Sequence, residues 1–113
     1  MSDINFIKNI SFSEPHILAG LVEYKQGQVV SRTFAQNDSL SLTLFAFDSG
    51  EGLSTHTAPG DAMAQVLDGE VKFLIGDKEV IAKAGEIVVM PANIQHSVNA
   101  EKRFKMLLIV VKK

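Results

Sequence analysis

The chain contains no cysteine, which excludes disulfides, thiolate nucleophiles and thiolate metal ligands and favours a reducing compartment. Tryptophan is also absent, and there is one tyrosine, three prolines and three histidines. The longest apolar run, Met106 to Val111, is far short of the roughly 20 residues that a membrane helix requires. Positive charge is neither abundant nor clustered: 11 Lys and Arg face 13 Asp and Glu, for a formal net charge of −2. A nucleic-acid partner needs a basic stripe to meet its phosphates, so none is expected. The opening Met-Ser-Asp-Ile-Asn-Phe-Ile-Lys carries an acid early and has no apolar centre. A secretory leader is therefore not expected, and the cytoplasm is the expected location.

What is present reads as β structure. With 113 residues, one domain is expected over 1–113, and a chain of this size buries roughly 65% of its unfolded surface. Residues 1–26 read as an N-terminal arm and residues from about 27 to 113 as a β-barrel. In Leu40-Ser-Leu-Thr-Leu-Phe-Ala-Phe47, Leu40, Leu42, Leu44 and Ala46 alternate with Ser41, Thr43, Phe45 and Phe47, a strand period. Asp68-Gly69, between apolar runs, is a strong hairpin signal. Gly76-Asp77 offers a second two-residue turn, between 71–75 and 79–82. Another strand runs from Ile87 to Met90 until Pro91 removes a ladder donor. The last, Phe104 to Val111, is apolar on both faces apart from Lys105, which predicts burial on both sides. Short strands at 8–12-residue spacing predict an all-β sandwich or barrel. Helix has weak support, and Ile17–Val22 is open between a strand and a helical turn.

Two segments carry the chemistry. One is Gly50-Glu-Gly-Leu-Ser-Thr-His56-Thr-Ala58-Pro-Gly-Asp61-Ala62, closed by Gly69; the other is Gly85-Glu-Ile-Val-Val-Met-Pro91-Ala-Asn93-Ile-Gln-His96. Together they resemble the two signatures of the cupin family, G-x5-H-x-H-x3-E-x6-G and G-x5-P-x-G-x2-H-x3-N. The resemblance covers roughly residues 40–111. It departs from the pattern where Ala58 replaces the second histidine, Ala62 the glutamate, Asn93 a glycine and Ala100 the final asparagine. Asparagine tolerates positive φ best among non-glycine residues, so that change is structurally mild. The resemblance implies an RmlC-like double-stranded β-helix, or jelly-roll, barrel that forms a homodimer and binds ligand or metal at its mouth.

The family's histidines and glutamate suit a divalent transition metal with positions left open for water or substrate. Here that set is reduced to His56 and His96, fewer than the three or more protein ligands of a dedicated site. Strand parity places Ala62, Ala64 and Val66 inside the barrel and turns Asp61 and Gln65 outward. His56, His96, Ala58, Ala62 and Ala64 are thus the expected walls of an alanine-lined pocket for a small organic molecule. Any metal there is expected to be weakly held, and no cofactor is implied with certainty. The alternative is a metal-dependent cupin enzyme, of oxygenase or isomerase type, working with two histidines. His16, in Ser13-Glu-Pro-His16, reads as a residue of the arm. The two-sided apolar strands 40–47 and 104–111 are expected to be covered by a second subunit, since no membrane partner is expected and a bare apolar face of that size is uncommon.

Overall fold

A computed structural model describes residues 6–113. After a 3-10 turn at Leu18–Leu21 come eight strands: β1 (Val29–Gln36), β2 (Leu40–Phe47), β3 (Gly52–His56), β4 (Asp61–Ile75), β5 (Lys78–Lys83), β6 (Ile87–Met90), β7 (His96–Asn99) and β8 (Phe104–Val111). No helix among the described residues is long and apolar enough to cross a membrane. The strands pair antiparallel in the order β1-β2-β8-β4-β6 in one sheet and β5-β4-β7-β3 in the other.

β4 belongs to both sheets. Residues 61–69 run between β8 and β6, and residues 70–75 run between β5 and β7. Where the sequence predicts a hairpin at Asp68-Gly69, the strand instead continues and turns a corner. A register shift between Val66 and Asp68 bends it, and Gly69 takes φ +76°. A Cβ at Gly69 would lie 2.2 Å from the Arg103 carbonyl oxygen, so glycine there also permits a close backbone crossing. A bulge followed by glycine is how a barrel wall changes sheets. The second expected turn does form: Ile75 pairs with Lys78 around Gly76-Asp77, with Gly76 at φ +61°. Glycine at the first central position suits a type II′ hairpin.

The barrel interior is filled by Phe47, Phe73, Phe104, Met90, Met106 and Val66. Phe47 and Phe104 stack with ring centroids 4.6 Å apart. Alternation along β4 buries Ala62, Ala64 and Val66 while Asp61, Met63 and Gln65 stay outside, as parity predicts.

A second core lies on the outer side of the first sheet. Leu44 and Ala46 pack there with Val22 and Phe34, joined by Ile10, Leu18, Leu21, Tyr24, Leu42 and Leu107. Part of the apolar surplus that the sequence assigns to a subunit contact is therefore covered by the chain's own N-terminal arm. Polar bonds hold the arm in place. Lys105 Nζ donates to the Ala19 carbonyl (2.6 Å), Arg32 Nη1 to the Leu21 carbonyl (2.9 Å), and the Tyr24 hydroxyl to Asp68 (2.5 Å). Arg103 and Lys105 both lie over the Tyr24 ring, 5.2 and 4.9 Å from its centroid, a favourable placement for cations. Burial, with the neighbouring Asp68 carboxylate, pushes the Tyr24 hydroxyl well above its ordinary pKa. Further along the same sheet, Met63, Ile87, Val89 and Val111 remain exposed.

Candidate functional site

His56 ends β3 and His96 begins β7, and the two are register partners. Their rings meet edge to face, with centroids 4.3 Å apart and planes inclined at 69°. Close approach of these strands depends on Gly52, where a Cβ would sit 2.2 Å from the Val98 carbonyl oxygen. The loop leading into His96 is pinned along its length. Ala92 N–H donates to Asp61 Oδ1 (2.8 Å), Asn93 N–H to the Ala58 carbonyl (2.9 Å), and Gly76 N–H to the Gln95 carbonyl (2.7 Å). Asn93 adopts φ +64°, the left-handed conformation for which asparagine is the best glycine substitute. Asp61 therefore faces away from the histidines and holds the loop that delivers one of them.

Each imidazole is fixed by the backbone two residues before it. His56 Nδ1 lies 2.7 Å from the Ser54 carbonyl oxygen, and His96 Nδ1 lies 3.2 Å from that of Ile94. A carbonyl oxygen only accepts, so both Nδ1 atoms carry the hydrogen. In a neutral ring that leaves Nε2 as an acceptor. His96 is 5% exposed, whereas His56 is exposed. Burial pushes His96 below its usual pKa; the Ile94 carbonyl bond opposes that, and neighbouring His56 adds to it. The pair is thus one sheltered, neutral-leaning imidazole and one open to solvent.

Ala58 is half-buried beside the barrel core. Ala62 and Ala64 are sealed within that core at 2% and 0% exposure. The structure thus brings His56 and His96 together, with Ala58 tied to the His96 loop, and makes Ala62 and Ala64 packed wall. His16 stays on the arm with its ring against the Ser11 carbonyl (2.8 Å).

Residues 43–112 match the family model described as Cupin domain. The chain belongs to the cupin family. It is similar to the crystal structure of a conserved protein of unknown function from Streptococcus pyogenes, with 36% identity over 99% of this chain and 98% of that one and a TM-score of 0.96. It is also similar to a cupin superfamily protein from Desulfitobacterium hafniense, with 32% identity, 95% and 98% coverage and a TM-score of 0.90. A Cupin 2 conserved barrel domain protein from Leptotrichia buccalis shares 49% identity over 83% of this chain, which spans only 46% of that longer chain, with a TM-score of 0.82. No curated protein matches the chain.

Cupins often bind metals, but the donors of this cupin do not make the four-ligand centre that the signatures describe. Among the described residues, no group of three or more His, Cys, Asp or Glu is placed to hold a metal ion. Ala58 and Ala62 stand at the other two ligand positions, and Asp61, the nearest carboxylate in sequence, is engaged by the loop.

Two features escaped the sequence. One is the pair of carbonyl locks on Nδ1, which depend on local backbone path and have no side-chain signature. The other is Lys78. It pairs with Ile75, which pairs with His96, which pairs with His56. Parity with buried Ala82 and half-buried Val80 puts Lys78 on the inner face of its strand. The sequence signal was available: a two-residue turn at Gly76-Asp77 fixes which β5 residues face inward.

Proposed function

We propose that this cupin binds a small organic molecule at the barrel mouth, against His56, His96 and Ala58, and that a transition metal is no essential part of the site. The observation that carries this reading is the edge-to-face contact of two backbone-locked imidazoles at 4.3 Å. Convergent polar groups at the end of an apolar barrel are the usual form of a small-molecule site. Ala62 and Ala64 form the packed wall behind the ligand. Elemental analysis of protein purified without added metal tests the reading. The expected result is substoichiometric metal, unchanged in a His56→Ala, His96→Ala variant. Stoichiometric Fe, Mn, Ni, Cu or Zn that disappears in that variant would favour a metal-dependent enzyme instead.

The reading includes a second copy of the chain on the bare part of the first sheet. Met63, Ile87, Val89 and Val111 are all exposed there, and β6 has a ladder partner only on its β4 side among the described residues. These four side chains would supply the apolar centre of an interface, part of the ~800 Å² per partner that a stable contact buries. This mostly apolar face, with Asp61 beside Val111 at its edge, can meet its own copy across a two-fold axis. Sedimentation should give a dimer that Val89→Glu converts to a folded monomer; a monomeric native protein would refute this part.

A further inference from the structure

Across the second sheet, Lys78, Ile75, His96 and His56 form a single row of register partners. Paired residues on adjacent strands share a face, and the face here is the one that buries Phe73, Ala82 and Val98. The row therefore lies at one end of the barrel, with a primary amine at one side, an aliphatic side chain in the middle and two imidazoles at the other. Strand spacing puts the Lys78 and His96 backbones ~10 Å apart. Among the described residues Lys78 has no ion pair or side-chain hydrogen bond, unlike Lys72, which is paired with Glu79 and Glu101.

At the histidine end the hydrogen-bonding sense is set. Both Nδ1–H groups are spent on the Ser54 and Ile94 carbonyls, so each neutral ring presents only the Nε2 lone pair. His96 Nε2 has no partner among the described residues, yet no buried side-chain nitrogen or oxygen is left without one. It therefore reaches the surface although the residue as a whole is buried. Two adjacent acceptors suit a hydroxyl, amine or amide N–H and are unsuited to a carboxylate. A carboxylate suits Lys78.

Resting on the reading that the histidine pair is a ligand site, the geometry points to the ligand's chemical class: a small hydroxy- or amino-substituted carboxylic acid. Its O–H or N–H donates to the Nε2 of one of the two histidines, its apolar body lies over Ile75, and its carboxylate pairs with Lys78.

Three probes of matched shape test this by histidine-ring and backbone NMR titration. They are 3-(4-hydroxyphenyl)propionate, 4-ethylphenol, which lacks the carboxylate, and 3-phenylpropionate, which lacks the donor. The hydroxy acid should bind about tenfold more tightly than either truncated probe, since each loses one charged or donor contact. Lys78→Gln, a change at an exposed position, should weaken the hydroxy acid about tenfold and leave 4-ethylphenol unchanged. Equal affinity of the hydroxy acid and 4-ethylphenol, with no effect of Lys78→Gln, would overturn the assignment while leaving the site itself standing. Equal affinity of the hydroxy acid and 3-phenylpropionate would overturn the donor selectivity. Should none of the three perturb His56 or His96, both the ligand class and the site reading fall.

Discussion

Returning a carboxylate to position 62 should be severely destabilising in the absence of metal. Ala62 faces Met90 and Val110 across its two ladders, and all three are buried. Glutamate adds a methylene and a carboxyl to a wall that is 2% exposed. Overpacking of that kind costs ~1–3 kcal/mol. An unpaired carboxyl, even protonated, adds a further ~1–3 kcal/mol. The sum, ~2–6 kcal/mol, is a large share of the ~5–15 kcal/mol that stabilises a domain. Burial raises the new group's pKa in the folded state, so the loss should grow as pH rises above the ordinary carboxylate range. Urea unfolding followed by far-UV circular dichroism reads this in a chain without tryptophan. Adding Ala58→His should recover part of the loss, but only with Zn2+ or Ni2+ present, because three imidazoles and a carboxylate then surround the ion. A cost for Ala62→Glu below ~0.5 kcal/mol and independent of pH would refute the packing argument. It would show that position 62 opens onto water.

Other positions give sharper tests of the scaffold. The Arg103 guanidinium, with backbone N–H groups of Gly27 and Ser49, holds Asp48 down at about 2. That stabilisation is full above 3.8, the ordinary carboxylate value, and is lost as pH falls through about 2, so Asp48→Asn should flatten this part of the acid-unfolding curve; an unchanged acid limb would contradict it. Gly69→Ala combines φ +76° with a Cβ 2.2 Å from the Arg103 carbonyl, and should cost ~2–4 kcal/mol in a denaturant titration. Gly27→Ala, also at positive φ but with open space around it, should cost only ~1 kcal/mol, and equal losses would remove the close-crossing argument. Tyr24→Phe deletes the hydroxyl bond to Asp68 and should cost about 1 kcal/mol, with faster amide exchange confined to the arm; no change around residues 18–24 would show that the clasp does not hold it.

Legibility in the sequence followed the range of the forces involved. Side-chain alternation at Ala62, Ala64 and Val66 and the turn at Gly76-Asp77 are short-range signals, and the structure keeps both. Asn93 at φ +64° also follows from residue type alone. Asp68-Gly69 carries the same local signal as a hairpin. Whether such a dipeptide turns back or turns a corner is decided by pairing with β8, over thirty residues away, which no local pattern contains. The outer face of β2 posed the same difficulty. Leu42 and Leu44 announce burial but do not name the covering partner, and the covering residues on the arm lack strand periodicity. For the site, the two histidines were legible through the cupin resemblance of the segments that carry them, not through their spacing alone. Their tautomers were not, since the acceptors are main-chain carbonyls. The openness inferred from three alanines was not legible either, because small side chains fit a packed wall as well as a cavity, and neighbouring Met90 and Val110 decide between them.

Metal-free binding of an organic ligand by the His56–His96 pair is directly observable. Its most direct test is a small-molecule NMR screen on chelator-treated protein with the methyl group of Ala58 and both imidazoles labelled. Hits should shift resonances centred on Ala58, His56 and His96, and these shifts should vanish in a folded His96→Ala variant. Binding that appears only after a divalent metal is restored would contradict metal-free binding.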